Sequence, residues 1–303
     1  MHRQYLICFT LAFICLAKAL PQSDYSVRVD STLVVIPVSV TDATNHSVLN
    51  LEKDRFSLFE DGVKQRITQF ADEDAPLSIG LLVDVSGSMG RKLLISQNAV
   101  AEFLKTMNAQ DEACLIEFSD HADVAVPFTR DWNVIKEKLS SAQSGGLTAL
   151  LDAVHLGLAQ MKTARNPRKA LLILSDGGDN NSRYSASDIK EIVRQADVQI
   201  YSMGVFETFP GGLGAAEVSG PHLLGEISEQ TGGRVFPAKS SSALPAIARR
   251  IGIELRNEYI LAYAPLNSRH DGKYRKVEVK LQTPDGLAGL KARWRSGYYA
   301  PSQ

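Results

Sequence analysis

The spacing of hydrophobic and polar positions changes twice along this chain. Between residues 26 and 70 apolar residues recur in short, broken alternation, which predicts β-strands with one buried face. No stretch there keeps a helical period long enough to predict a helix. The pair Asp61-Gly62 predicts a tight hairpin turn between a strand at residues 56–60 and a second strand at residues 63–70.

The middle of the chain alternates apolar strand patterns with helical patterns. Strands are predicted at residues 79–84, 112–118, 122–127, 170–176, 198–206 and 234–236. Helices are predicted at residues 91–107, 132–140, 148–162, 187–196, 223–230 and 244–255. Strands separated by helices of this length predict an α/β fold with a doubly wound, mainly parallel sheet. The glycine-rich stretch 210–221 is interpreted as a plain connector, with a rim loop that shapes ligand choice as the alternative.

A β pattern returns after residue 258 and continues to the end of the chain. Each flanking segment is too small to be stable alone, so we expect the two to pair into one β-sandwich from which the α/β part emerges. The acidic, proline-terminated stretch 71–76 marks a boundary. The predicted organisation is a signal peptide at 1–19, an N-terminal β segment at 20–75, an α/β domain at 76–256 and a C-terminal β segment at 257–303.

Candidate chemistry is concentrated in residues 79–90, IGLLVDVSGSMG. Alternate residues of an extended backbone point to the same side, so Asp84, Ser86 and Ser88 can present one carboxylate and two hydroxyls together. The site would lie where a buried strand ends and a helix begins, which is the usual binding crevice of an open α/β sheet. Oxygen ligands with little formal charge suit a hard divalent cation such as Mg²⁺, Mn²⁺ or Ca²⁺.

Two later segments strengthen this interpretation. Thr148 follows the glycine pair Gly145-Gly146 at the start of a predicted helix, and Asp176 ends the buried-type strand 170–176. The alternative is that all these residues are ordinary turn and N-cap residues. Capping accounts for one or two of them, but hardly for all five at strand or helix ends.

With these residues in place, the chain resembles the von Willebrand factor A-type domain with a metal-ion-dependent adhesion site, over roughly residues 76–256. The resemblance implies that Ser86, Ser88 and Thr148 bind the metal directly, and that Asp84 and Asp176 bind it directly or through water. It favours Mg²⁺, with Mn²⁺ or Ca²⁺ as alternatives. It further implies a protein ligand whose exposed Asp or Glu completes the metal coordination, with movement of a neighbouring helix.

The flanking segments resemble bacterial A-domain-related proteins that are abundant in acidobacteria. The residues concerned are 33–70, 258–281 and the closing RSGYYAP. This resemblance implies an exported bacterial protein and says little about mechanism.

The start of the chain supports export. Residues 1–20 combine a basic beginning, an apolar run and the sequence Ala17-Lys18-Ala19, which has the form of a signal-peptidase site. Cleavage after Ala19 is expected, and an uncleaved membrane anchor is the alternative. Cleavage would place the protein in the periplasm, on the cell surface or outside the cell. The net charge of −1 and the pI near 6.6 argue against a nucleic-acid partner.

Cys8 and Cys15 lie in the predicted signal peptide, which leaves Cys114 alone in the mature chain. An intramolecular disulfide is therefore excluded there. Cys114 lies in an apolar strand pattern, where a free cysteine is usually a small buried hydrophobe.

No motif predicts catalysis. The chain has no G-x-S-x-G around Ser86 or Ser88, no P-loop, no HExxH and no CxxC. No catalytic residue and no organic cofactor are predicted. The function predicted is an exported, metal-dependent protein-binding module. An envelope scaffold or assembly factor is the alternative, and a metal-dependent hydrolase is a distant third.

Two polar clusters outside the motif are left open. Asp179 and Asn180 follow Asp176 and either tune the site or continue the loop, with the loop favoured. Asp120, His121 and Asp123 lie between two predicted strands, where a hairpin turn explains them without a second metal site.

Overall fold

The computed structural model describes residues 33–72, 74–205, 215–238, 240–283 and 289–302. The predicted signal peptide lies outside these residues. The strands are β1 (Val34–Thr41), β2 (Phe56–Glu60), β3 (Val63–Gln65), β4 (Gln69–Ala71), β5 (Leu77–Asp84), β6 (Glu112–Phe118), β7 (Ala122–Thr129), β8 (Arg168–Ser175), β9 (Gln199–Val205), β10 (Val235–Ala238), β11 (Glu258–Tyr263), β12 (Tyr274–Leu281), β13 (Lys291–Trp294) and β14 (Gly297–Tyr299). The α-helices are α1 (Leu93–Leu104), α2 (Trp132–Ser140), α3 (Leu150–Met161), α4 (Ala186–Gln195), α5 (Ala215–Glu229) and α6 (Leu244–Arg256).

The central sheet has six strands in the order β10-β9-β8-β5-β6-β7. Its strands are parallel except for β7, which forms a hairpin with β6. Every residue of β5 is buried, as expected for a strand covered on both faces. One apolar core joins one face of the sheet to α1, α2 and α6, and a second joins the other face to α3, α4 and α5. The predicted doubly wound, mainly parallel sheet is confirmed.

Two four-stranded antiparallel sheets are built from the flanking segments, in the orders β13-β1-β11-β4 and β14-β12-β2-β3. Each mixes strands from before and after the α/β part. A separate apolar core lies between them, with alternate residues of β1, β2, β11 and β12 pointing inward. The predicted β-sandwich of N- and C-terminal segments is therefore confirmed as part of the fold, while the domain boundaries at residues 75/76 and 256/257 stay predictions.

Two element predictions were wrong in detail. The strand predicted at residues 63–70 is two strands, because β3 pairs with β2 in one sheet and β4 pairs with β11 in the other. Buried Ile67 lies between them in the sandwich core, so the chain crosses from one sheet to the other there. The helix predicted from residue 223 begins at residue 215, and Pro221 lies inside it.

The turn at Asp61-Gly62 agrees with its prediction. Both residues have positive φ, 48° and 82°, as a type I′ hairpin turn requires. Cys114 is fully buried in β6, and burial raises the pKa of its thiol to about 12. The thiolate needed for reactivity is therefore nearly absent at neutral pH. No helix in the described ranges is both long and apolar enough to cross a membrane.

A glycine between α5 and β10 fixes how β10 approaches the sheet. A Cβ on Gly233 would overlap the backbone carbonyl oxygen of Ile200 in β9 and lie 2.6 Å from its carbonyl carbon. Backbone cannot move aside as a side chain does. We therefore expect Gly233→Ala to lower the free energy of unfolding by about 2 kcal/mol or more, measured by urea denaturation.

The matched control is Gly225→Ala, because a Cβ there meets no atom within 4 Å and the residue lies inside α5. This variant should gain up to about 1 kcal/mol from helix propensity. Equal stability of the two variants would contradict the close backbone contact at Gly233.

Candidate metal site

The candidate site lies at the point where the strand order of the central sheet reverses. From β5 the chain continues to β6 on one side, whereas β8, on the other side of β5, leads to β9 and β10. Diverging connections leave a crevice between the carboxyl ends of β5 and β8. Asp84 is the last residue of β5, and Asp176 follows the last residue of β8. The parallel pairing of these strands therefore brings the ends of two sequence-distant segments side by side.

Asp84 is fully buried and its carboxylate is held from two sides. The Ser175 hydroxyl donates to Oδ2 at 2.6 Å, and the Ser86 backbone N–H donates to Oδ1 at 2.9 Å. Burial raises the pKa of Asp84 to about 6, nearby Asp176 adds to this effect, and the hydrogen bonds from Ser175 and Ser86 oppose it. Such a carboxylate is oriented by the protein and is stabilised further by any added positive charge.

Two hydroxyls follow Asp84 on the same loop. The Oγ atoms of Ser86 and Ser88 lie 3.1 Å apart, with Ser86 buried and Ser88 exposed. Their convergence depends on a 3₁₀ turn at Gly87–Met89 rather than on continued strand alternation. A Cβ on Gly87 would lie 3.3 Å from the Gly146 carbonyl oxygen, so the small residue permits close approach of the next loop.

Thr148 reaches this region through a second loop that is fastened to the first by backbone hydrogen bonds. The N–H of Gly145 donates to the Val85 carbonyl at 2.9 Å, and the N–H of Gly87 donates to the Gly146 carbonyl at 3.1 Å. Thr148 is buried. The segments bearing Asp84, Ser86, Ser88, Thr148 and Asp176 are thus tied together at one edge of the sheet.

Three residues that the sequence analysis named but left without an assigned site role support these loops. Asn180 accepts from the Thr148 N–H at 2.8 Å through its side chain and donates its own N–H to the Thr148 carbonyl at 3.0 Å. Asp120 accepts from the Leu147 N–H at 2.8 Å. Asp179 accepts from the Leu151 N–H at 3.3 Å at the start of α3. Asp120 and Asn180 therefore position the loop that carries Thr148. The sequence analysis had favoured a plain turn for Asp120 and a plain loop for Asn180.

A buried lysine is an unforeseen member of the site. Lys92 precedes α1, and its Nζ lies 3.4 Å from Oδ2 of Asp176. Both side chains are only 4% exposed. No local sequence pattern predicts this pairing. Lys92 follows Asp84 by eight residues, but its partner is Asp176, which lies 84 positions away.

The donors at this edge fit a hard divalent cation. They are two carboxylates and three hydroxyls, all oxygen, which are the ligands that Mg²⁺ and Ca²⁺ prefer. Across the described ranges, no cluster of three or more His, Cys, Asp or Glu side chains is arranged to hold a metal ion. His121 in the β6–β7 turn and Asp123 at the start of β7 lie 2.8 Å apart, and both are largely exposed.

An open α/β domain with a polar, oxygen-rich crevice at its strand-order reversal is thus defined by fold and geometry. Residues 79–178 match the family model of the von Willebrand factor type A domain. The chain therefore contains a von Willebrand factor type A domain, as the sequence analysis predicted. The family match covers none of the flanking segments, so their resemblance to acidobacterial proteins stays a prediction.

One curated protein and two solved structures are similar to this chain. A protein of Borreliella burgdorferi, described as uncharacterized, is 26% identical over 184 residues, and the chain spans about half the length of that relative, 54%. A solved von Willebrand factor type A structure from Catenulispora acidiphila is 12% identical with a TM-score of 0.52, over 90% of this chain and 74% of that one. Proximal thread matrix protein 1 from the mussel byssus is 17% identical with a TM-score of 0.51, over 65% of this chain and 51% of that one. At these identities the two structures show the fold alone.

Proposed function

We propose that this protein is an exported, non-enzymatic module that binds a protein ligand through a divalent cation. Von Willebrand factor type A domains mediate protein–protein interactions and often bind such a cation. The observation that supports the proposal here is the gathering of Asp84, Ser86 and Ser88 on one loop, beside Asp176 and the Thr148 loop, at the reversal of the strand order. These five residues would hold the ion, with Mg²⁺ favoured over Mn²⁺ or Ca²⁺.

The chemistry of the donors suggests what the ligand offers. The candidate site offers five oxygen donors, two carboxylates and three neutral hydroxyls, whereas a hard divalent ion takes six or more. A further anionic oxygen from outside the protein would complete the shell, and an Asp or Glu side chain of a partner supplies one. Ser88 is exposed, so the crevice is open to solvent at the loop where such a side chain would enter.

The experiment is a selection of random peptides on the immobilised chain in Mg²⁺, followed by elution with a chelator. We expect the eluted peptides to share an Asp or Glu, and replacement of that residue by Asn or Gln should end binding. Peptides that stay bound in the chelator, or that lack an acidic residue, would contradict the proposal and favour the envelope scaffold.

A further inference from the structure

Lys92 forms a buried ion pair with a candidate metal ligand, Asp176. Its side chain is 4% exposed, and burial of an ammonium costs free energy unless it is paired. It also occupies the N-cap of α1 without a side-chain capping bond, at the helix end whose dipole repels cations. The ion pair with Asp176, which lies 3.4 Å away and is equally buried, offsets part of both costs.

We propose that Lys92 is an internal cation of the candidate metal site, which neutralises Asp176 in the metal-free protein and weakens the binding of a divalent ion. This inference rests on the proposed function. Lys92 acts as a positioning residue, since its ammonium sets the charge and the arrangement of Asp176 and is not itself a ligand.

A count of formal charges shows why the effect would matter for ligand binding. Asp84 and Asp176 contribute two negative charges and Lys92 contributes one positive charge, which leaves the metal-free site with a net charge of minus one. A divalent ion changes this to plus one, whereas the same site without the lysine would be neutral. The loaded site would therefore attract an anionic side chain and would hold its metal weakly in the absence of one.

The test is titration calorimetry of MgCl₂ into the mature natural chain and its Lys92→Met, Lys92→Arg and Lys105→Met variants. Lys92→Met removes the charge and keeps an unbranched side chain, and we expect it to bind Mg²⁺ at least about tenfold more tightly. Lys92→Arg keeps the charge and should bind no more tightly than the natural chain. Lys105 caps the other end of α1 and is 66% exposed, so Lys105→Met should leave the affinity unchanged.

Thermal unfolding gives a readout that does not depend on ligand binding. In a chelator, Lys92→Met should unfold at a lower temperature than the natural chain, because two buried carboxylates have lost their counter-charge. Added Mg²⁺ should restore the unfolding temperature of this variant. If Lys92→Met folds only when Mg²⁺ is added, the proposal is supported, and if Mg²⁺ does not rescue it, the proposal is overturned.

The outcomes separate this inference from the proposed function. If the natural chain binds Mg²⁺ and Lys92→Met binds equally or more weakly, Lys92 has no such role and the metal site stands. If only Lys92→Met binds, Lys92 replaces the metal in the natural chain and the proposed function falls. If neither protein binds Mg²⁺, both are overturned.

Discussion

Replacement of Asp84 by asparagine is expected to weaken Mg²⁺ binding by roughly a hundredfold or more, which is about 3 kcal/mol. The amide removes one of the two negative charges of the site, but it still accepts the Ser86 N–H and stays in contact with the Ser175 hydroxyl. The fold should therefore survive. Thr148→Val keeps the buried volume and removes one hydroxyl, so it should weaken binding as well, by a smaller factor. Calorimetric titration of each variant with Mg²⁺, beside the natural chain, measures both effects.

The matched control is Asp123→Asn, which removes an acidic charge from the start of β7, on the same edge of the sheet. Asp123 is 69% exposed and pairs with His121 rather than with the candidate ligands. Loss of this charge should leave the Mg²⁺ affinity within about twofold of that of the natural chain, because exposed charges are well screened. Equal losses in Asp84→Asn and Asp123→Asn would show a general charge effect and would argue against a specific site.

The elements that sequence predicted well are those determined by local pattern. The buried run of β5, the β6–β7 hairpin and the Asp61-Gly62 turn each follow from residues within a few positions. The split of residues 63–70 into β3 and β4 does not, because β4 leaves the hairpin partner β2 and pairs with β11, a strand from the far end of the chain. The early start of α5 at Ala215 likewise contradicts the local signal of glycines and Pro221.

The residues of the candidate site likewise divide into those that a local pattern predicts and those that depend on distant partners. Asp84, Ser86 and Ser88 share one loop, and their spacing was enough to predict a cluster of oxygens. The assignment of Thr148 and Asp176 to the same metal came from the family resemblance, and their role as ligands stays a prediction. Lys92 could not be predicted, because a lysine before a helix is usually solvated and its partner is 84 residues away. For Asn180 the plain loop role was favoured over tuning of the site, because an asparagine in a loop is usually solvated and its partner is 32 residues away.

The opposite edge of the central sheet holds an ion pair that sequence could not show. Arg168 begins β8 and Glu258 begins β11 of the sandwich, so the pair joins the α/β domain to a flanking sheet. The Arg168 Nη2 lies 2.6 Å from Oε2 of Glu258, whose side chain is fully buried, and Gln199 donates to Oε1 at 2.6 Å. Each residue looks like an ordinary surface charge at a strand end when the sequence is considered alone.

Glu258→Gln is therefore expected to lower the free energy of unfolding by about 3–5 kcal/mol, because the Arg168 guanidinium stays buried without its close counter-charge. Asp74, 3.9 Å from Nη1, offsets this only in part, since its side chain is 35% exposed. The double variant Arg168→Met with Glu258→Gln should recover much of the loss, because it removes the uncompensated charge. Urea denaturation of the natural chain, both single variants and the double variant gives the coupling energy.

The control for that cycle is Glu278→Gln, which breaks the exposed pair with Lys280 in β12. The side chains of Lys280 and Glu278 are 61% and 47% exposed, so this variant should unfold at nearly the same urea concentration as the natural chain. A Glu258→Gln variant as stable as Glu278→Gln would mean that water or Asp74 satisfies Arg168. The attachment of the α/β domain to the sandwich would then depend on apolar packing and backbone pairing rather than on this ion pair.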